Sequence, residues 1–213
     1  MDSRRKVELL EKHKPRQERA KRTYEAILNA AAELLVEVGV ERISTNLIAE
    51  RAGITVPALY RYFPNKYAVL HALGAKLMDW QNQAMEHWFV GHMNNGGARE
   101  LIDDVYTLFK LTYDVTREQT GGLEICQALR AVGPLQELRL ASHQVVSSEF
   151  ATILADMLAI PMDDAFAMKC RVTIDLSYGV IELALEDTSL LPEEVLRQGA
   201  EMIKAYWRDL VDV

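Results

Sequence analysis

Between Ser44 and Lys66 the chain reads S-T-N-L-I-A-E-R-A-G-I-T-V-P-A-L-Y-R-Y-F-P-N-K, a short stretch dense in hydroxyl and cationic side chains. Thr55, Tyr60, Arg61 and Tyr62 fall on and around one short segment, and Lys66 begins the next. Packing a unit this small does not call for them. Hydroxyls and an ammonium group suit phosphate oxygens, and a guanidinium suits either a phosphate or the edge of a base.

These residues are useful only if a rigid local frame presents them. The spacing predicts two short helices joined by a tight turn. Ser44 and Thr45 supply hydroxyl N-caps to a helix over 44–52 whose apolar face is Ile48, Ala49 and Ala52. Gly53 ends it, since glycine enters the left-handed region without strain. Thr55 is placed to cap the second helix, where Pro57 is tolerated in the first turn. Ala49, Gly53 and Leu59 stand at the spacing A-x3-G-x5-L, which suits a helix-turn-helix: a small contact residue, a corner glycine and a large apolar lock. An amphipathic helix over 23–38, with Ile27, Ala31, Leu34, Leu35 and Val38 on one face, buttresses the pair and is closed by Gly39.

The whole run Ala26 to Lys66 resembles the N-terminal DNA-binding domain of the TetR family of bacterial transcriptional regulators, most specifically in I-A-x2-A-G-I and in L-Y-x-Y-F-x2-K. The resemblance implies phosphate contacts for Thr45, Tyr60, Tyr62 and Lys66, with Thr55 as a further candidate. It leaves Asn46, Val56, Ala58 and Arg61 to read base edges. Val56 and Ala58 suit thymine methyls, and Arg61 suits guanine O6 and N7. Two alternatives stay open: Arg61 on a phosphate or in solvent, and Val56 with Pro57 as local packing. Tyr62 stands where many relatives have histidine, and Leu47 stands where they carry a charge, so that charged contact does not carry over.

Charge is divided along the chain. Residues 1–66 hold 13 Lys and Arg against 9 Asp and Glu, a net of +4; residues 67–213 hold 11 against 22, a net of −11. A basic head on an acidic body directs the head toward a polyanion. Residues 1–22 read either as a solvated basic tail or as an arm that follows the duplex. The charged N-terminus lacks the apolar core of a secretory leader, so a cytoplasmic protein is expected. No stretch is long and apolar enough for a membrane span. Cys126 and Cys170 read as buried small hydrophobes, with a redox pair as the alternative.

The expected fold is all-α with about nine helices in three parts: a flexible basic arm (1–22), a helix-turn-helix domain (23–68) and a helical effector-binding and dimerisation domain (69–213). Asn65 is expected to cap a helix reaching about residue 93. Further helices are expected over 98–117, 123–132, 134–158, 162–187 and 192–211. The last two carry apolar residues round much of their surface, including Val172, Gly179, Val180, Leu183, Gly199, Ile203 and Tyr206. They predict a two-fold four-helix interface between two copies.

The family resemblance also implies a small-molecule pocket in the body. Trp88, Tyr106, Phe109, Tyr113, Leu129, His143, Phe150, Met168 and Tyr178 are candidate lining residues, most of which must serve simply as core. No H-E-x-x-H, C-x-x-C, G-x-S-x-G or phosphate-cradling glycine loop occurs, so neither catalysis, a metal nor a cofactor is expected. The expected partners are a palindromic double-stranded operator, a second copy of the chain and a small effector, with an effector-independent architectural or activating regulator as the alternative.

Overall fold

The computed structural model describes residues 17–95 and 97–211, so most of the expected N-terminal arm lies outside the described residues. Among these there are ten α-helices and no strand: α1 (Glu18–Arg42), α2 (Thr45–Arg51), α3 (Val56–Leu59), α4 (Lys66–Asn95), α5 (Ala98–Asp103), α6 (Val105–Glu118), α7 (Gly122–Ala131), α8 (Gly133–Leu158), α9 (Asp164–Glu186) and α10 (Pro192–Val211). None of them is long and apolar enough to cross a membrane.

The tenth helix arises because the single helix expected over 98–117 is two. Asp104 leaves helical geometry at φ −95°, ψ 12°. Its carboxylate accepts hydrogen bonds from Trp88 Nε1 at 2.8 Å and from Thr107 Oγ1 at 2.5 Å. A short acidic side chain that bonds locally competes with the helical ladder, and α6 resumes at the next residue, Val105.

The helices form two compact units. The first holds the chain up to Leu77 together with Gln119–Arg139; the second holds Met78–Glu118 and the chain from Leu140 onward. Helices α4 and α8 each contribute residues to both.

In the first unit, Ile27, Ala31, Leu34 and Leu35 of α1 are buried with Ile48, Ala49, Leu59 and Phe63. Helix α1 starts earlier than its apolar pattern and breaks where expected: Gly39 has φ 74° and ψ 168°, after which one further turn reaches Arg42. Helix α7 packs on α1. Gly121, at φ 71°, lies so close that a Cβ there would stand 2.9 Å from the Ala32 carbonyl oxygen. Gly74 of α4 is pressed against Leu129 of α7 in the same way, at 2.7 Å from its Cδ2.

The second unit is built around Trp207 of α10, which is fully buried. Phe150 and Phe166 meet its ring edge-on at 5.7 and 5.8 Å, and its Nε1 donates to Thr173 Oγ1 at 3.0 Å. A buried indole with a satisfied N–H fixes the orientation of α9 against α10. Between them Gly199 admits Val180, whose Cγ1 would sit 2.4 Å from a Cβ there.

Candidate nucleic-acid interface

The helix-turn-helix is assembled as its residue types require. Ser44 Oγ accepts the Leu47 N–H at 3.3 Å and starts α2. Gly53 turns the chain at φ 66°. Thr55 begins α3 without a side-chain cap bond, contrary to its expected role, so its hydroxyl is left on the surface. Helix α3 is a single turn, Val56–Leu59. Its winding continues as tight turns, with Arg61 N–H donating to Ala58 O at 3.3 Å and Tyr62 N–H to Leu59 O at 2.9 Å.

Leu59 is buried while Asn46, Thr55, Pro57, Tyr60 and Arg61 are exposed and Val56 and Ala58 half-exposed. The Thr45 and Tyr60 hydroxyls lie 3.2 Å apart, bringing two of the candidate phosphate groups to one spot. Tyr62 is half-buried, its ring 6.4 Å edge-on from Tyr24, which also stacks on Phe63 at 5.2 Å.

Lys66 has partners within the chain that its spacing in the sequence does not suggest. Its ammonium donates to the carbonyl oxygens of Val40, Glu41 and Ile43 at 3.2, 3.4 and 3.0 Å. An ammonium has three donors, and all three are spent closing the turn that follows the Gly39 break. In this arrangement the lysine caps the C-terminus of α1.

Arg51 is a positioning residue that sequence reading missed. Its guanidinium binds Glu37 with two bonds of 2.8 and 2.7 Å and Glu33 at 3.1 Å, clamping α2 onto α1. The hydrogen bond from Arg51 holds the Glu37 carboxyl below its ordinary range, and the same bond raises Arg51. Partners 14 and 18 residues away leave no local pattern to detect.

In the second unit the candidate effector residues separate. Tyr106 and Tyr113 line a groove of about 550 Å³ between α6 and the start of α10. Phe109 and Tyr178 line a separate void of about 30 Å³ among α4, α6, α8 and α9, room for a water but not for a ligand. Tyr178 stacks on His143 at 4.3 Å, and His143 Nδ1 lies 2.7 Å from Asp175 Oδ1. Burial pushes the Asp175 carboxyl up, but its bonds to His143 and Arg171 outweigh that and hold it below the usual carboxylate range. Trp88 and Phe150 are core. Leu129 belongs to the first unit, packed on Gly74, and Met168 is 62% exposed, so neither lines a pocket of the second unit. Cys126 and Cys170 are both buried thiols, and burial pushes Cys170 up to about 12.

The candidate interface residues also divide. Ile203 is 2% exposed and Gly199 holds Val180, so these three pack α9 on α10 within one chain and are not available to a second copy. Val172, Leu183 and Tyr206 are exposed, and open space surrounds Gly179. With Met168, Leu176 and Met202 they leave an apolar stripe along the outer side of α9 and α10.

The described chain thus joins a helix-turn-helix in its first unit to an all-helical second unit. Residues 27–73 match the family model described as bacterial regulatory proteins, tetR family. The chain is 46% identical over 54 residues to the tetracycline repressor protein class C of Escherichia coli, covering 25% of each chain. It is 42% identical over 48 residues to the uncharacterized HTH-type transcriptional regulator YdeS of Bacillus subtilis, covering 22% of this chain and 24% of that one. These alignments therefore span about a quarter of the curated relatives' length. Among solved structures, a putative TetR-family regulator from Syntrophomonas wolfei superposes with a TM-score of 0.72 at 15% identity, over 91% of this chain and 98% of that one. Thermus thermophilus FadR, a TetR-family repressor solved with lauroyl-CoA, gives 0.55 at 20% identity, over 84% and 92%. At such identities the likeness carries the fold alone. Over residues 27–73 the chain carries the DNA-binding domain of the tetR family of bacterial regulatory proteins.

Proposed function

We propose that this protein is a homodimeric repressor that binds a palindromic operator and is released from it by a small molecule. The observation that carries the reading is the outer surface of the helix-turn-helix. Ile48, Ala49 and Leu59 are inside, while Asn46, Thr55, Pro57, Tyr60 and Arg61 stand outside in a chain segment of net positive charge. Thr45 and Tyr60, through their paired hydroxyls, and the exposed Thr55 are the phosphate contacts, with Tyr62 at the margin. Asn46, Val56, Ala58 and Arg61 face the base edges.

Dimerisation is supported by the apolar stripe of α9 and α10. A row of Met168, Val172, Leu176, Gly179 and Leu183 recurs every three or four residues, the spacing of one helix face that packs against another. Two heads related by such an axis would reach successive major-groove faces roughly 34 Å apart. Effector control is supported by the fold shared with FadR, a repressor solved with an acyl ligand. An effector acts by preferring one conformation of the protein, and near-complete release requires about 5.5 kcal/mol of differential affinity.

The test is selection of bound duplexes from a random DNA pool by the purified protein at moderate salt, followed by sequencing. A two-fold symmetric motif is the expected outcome. Binding that tracks salt alone, with no motif enriched, would replace this reading with that of an architectural DNA-binding protein.

A further inference from the structure

The groove of about 550 Å³ in the second unit is built like a receptor. One wall is a face of α6 carrying Tyr106, Lys110, Tyr113 and Arg117; the other is the entry to α10, with Leu191, Pro192 and Leu196. Arg117 is 61% exposed and lies 5.4 Å from the centre of the Tyr113 ring, the position of a cation held on an aromatic face. It approaches Asp114 Oδ1 only to 3.7 Å, beyond hydrogen-bond reach, and that oxygen is itself buried without a hydrogen-bond partner. Lys110 donates to the other oxygen of Asp114. Arg197, the remaining cation of the groove, is locked on Glu194 by bonds of 2.6 to 3.0 Å. The guanidinium of Arg117 is thus pre-positioned by a ring, and its donors make no hydrogen bond among the described residues.

A second feature points the same way. Leu191 is 77% exposed at the lip of the groove, a large apolar side chain for which packing within the chain gives no account. An apolar lip, an aromatic floor and a planar cation together match an amphipathic molecule. We infer that this groove binds a monocarboxylic acid with an aromatic or short aliphatic body. The carboxylate pairs with the Arg117 fork, with Lys110 adding charge, and the body lies on Tyr106 and Tyr113 under Leu191 and Leu196. Glu193 and Glu194 on the opposite wall select against a second negative charge. The volume lies within the range of small-molecule sites, about 300 to 1,000 Å³. This site is separate from the void at Phe109 and Tyr178, and it stands whether or not the protein binds an operator.

The experiment is calorimetric titration of the full chain with 3-phenylpropionate and with its neutral analogue 3-phenylpropanamide. The acid is expected to bind and the amide to bind about tenfold more weakly or worse, the cost of losing a charge-assisted pair. Arg117→Met should weaken the acid by about the same factor and leave the amide unchanged. Leu191→Ser should weaken both. Each residue is exposed, so the thermal melting of both variants should match the parent, and a melt confirms it. No heat from the acid at millimolar concentration, equal binding of acid and amide, or unchanged acid binding by Arg117→Met would each overturn the assignment.

Discussion

At the scale of single residues, the most informative side chain is Lys66, because its identity suggests one task and its neighbours another. Its three bonds to the carbonyls of Val40, Glu41 and Ile43 satisfy acceptors that the Gly39 break removes from the helical ladder. Lys66→Met should therefore lower the stability of the head by about 1–3 kcal/mol, the cost of half-buried carbonyls losing their donor, read as a reduced melting temperature. Unchanged melting, with weaker DNA binding and a salt slope smaller by about one, would return Lys66 to the phosphates. Arg61 is exposed in the turn that follows α3. Arg61→Ala should relax base preference at one position of each half-site at a cost of about 1–3 kcal/mol, measured by competition among single-base operator variants. A loss uniform across sequences would make it a phosphate contact. Residue type made Ser44, Gly53 and Asn65 legible from sequence alone, since each does a local job: Asn65 Oδ1 accepts the Ala68 N–H at 3.0 Å. The tasks of Lys66 and Arg51 were hidden because their partners lie 14 to 26 residues away.

At the scale of elements, helix starts and stops were readable wherever proline, glycine or a capping side chain marks them. Helix α10 begins at Pro192 as expected, and α9 begins behind Asp163, whose carboxylate accepts the Phe166 N–H at 2.8 Å. The division of α5 from α6 was not readable, because it depends on Trp88 reaching Asp104 from another helix. Faces were harder still. Helix α9 is apolar round most of its circumference, and composition does not say which side the core takes. The structure gives Phe166, Cys170, Ile174 and Ile181 to the core and leaves Met168, Val172, Leu176 and Leu183 outside. The proposed interface is therefore tested at the outer row. Leu183→Glu, at a position 45% exposed, should leave the melting of the second unit nearly unchanged yet yield monomers by light scattering after gel filtration. A dimer of unchanged mass would sink the four-helix arrangement. A charge at Ile203, by contrast, would be buried in the core and would report on folding alone.

At the scale of the whole molecule, the asymmetry of charge is the property a binding experiment reads most directly. With a net of +4 over residues 1–66 and −11 over the rest, attraction to DNA is confined to the head. Operator affinity should fall linearly in log–log form with salt, with a slope of about −0.9 for each phosphate neutralised. The phosphate contacts proposed above are hydroxyls, which release no counterions, so a steep decline from low to physiological salt would come from other cations of residues 1–66; a flat response would mean the hydroxyl contacts act without cationic support. The fold class was legible because no segment alternates with a strand's period, and the head because its motif is local. The pocketed and apolar surfaces of the second unit were not, since they are made by residues far apart in sequence.

One feature of the first unit bears on how such proteins change over time. The head is not a contiguous piece of chain: α7 returns to lie on α1, with Gly121 against Ala32 and Leu129 against Gly74. A recombination joint placed after Leu77 would transplant α1 to α3 without α7, which packs on α1. The graft would then depend on whether the recipient's own α7 tolerates Ala32 and Gly74 at these distances. On the proposed reading, operator specificity changes by point substitution in the outward residues of α2 and α3, which touch none of these contacts, rather than by swapping whole heads.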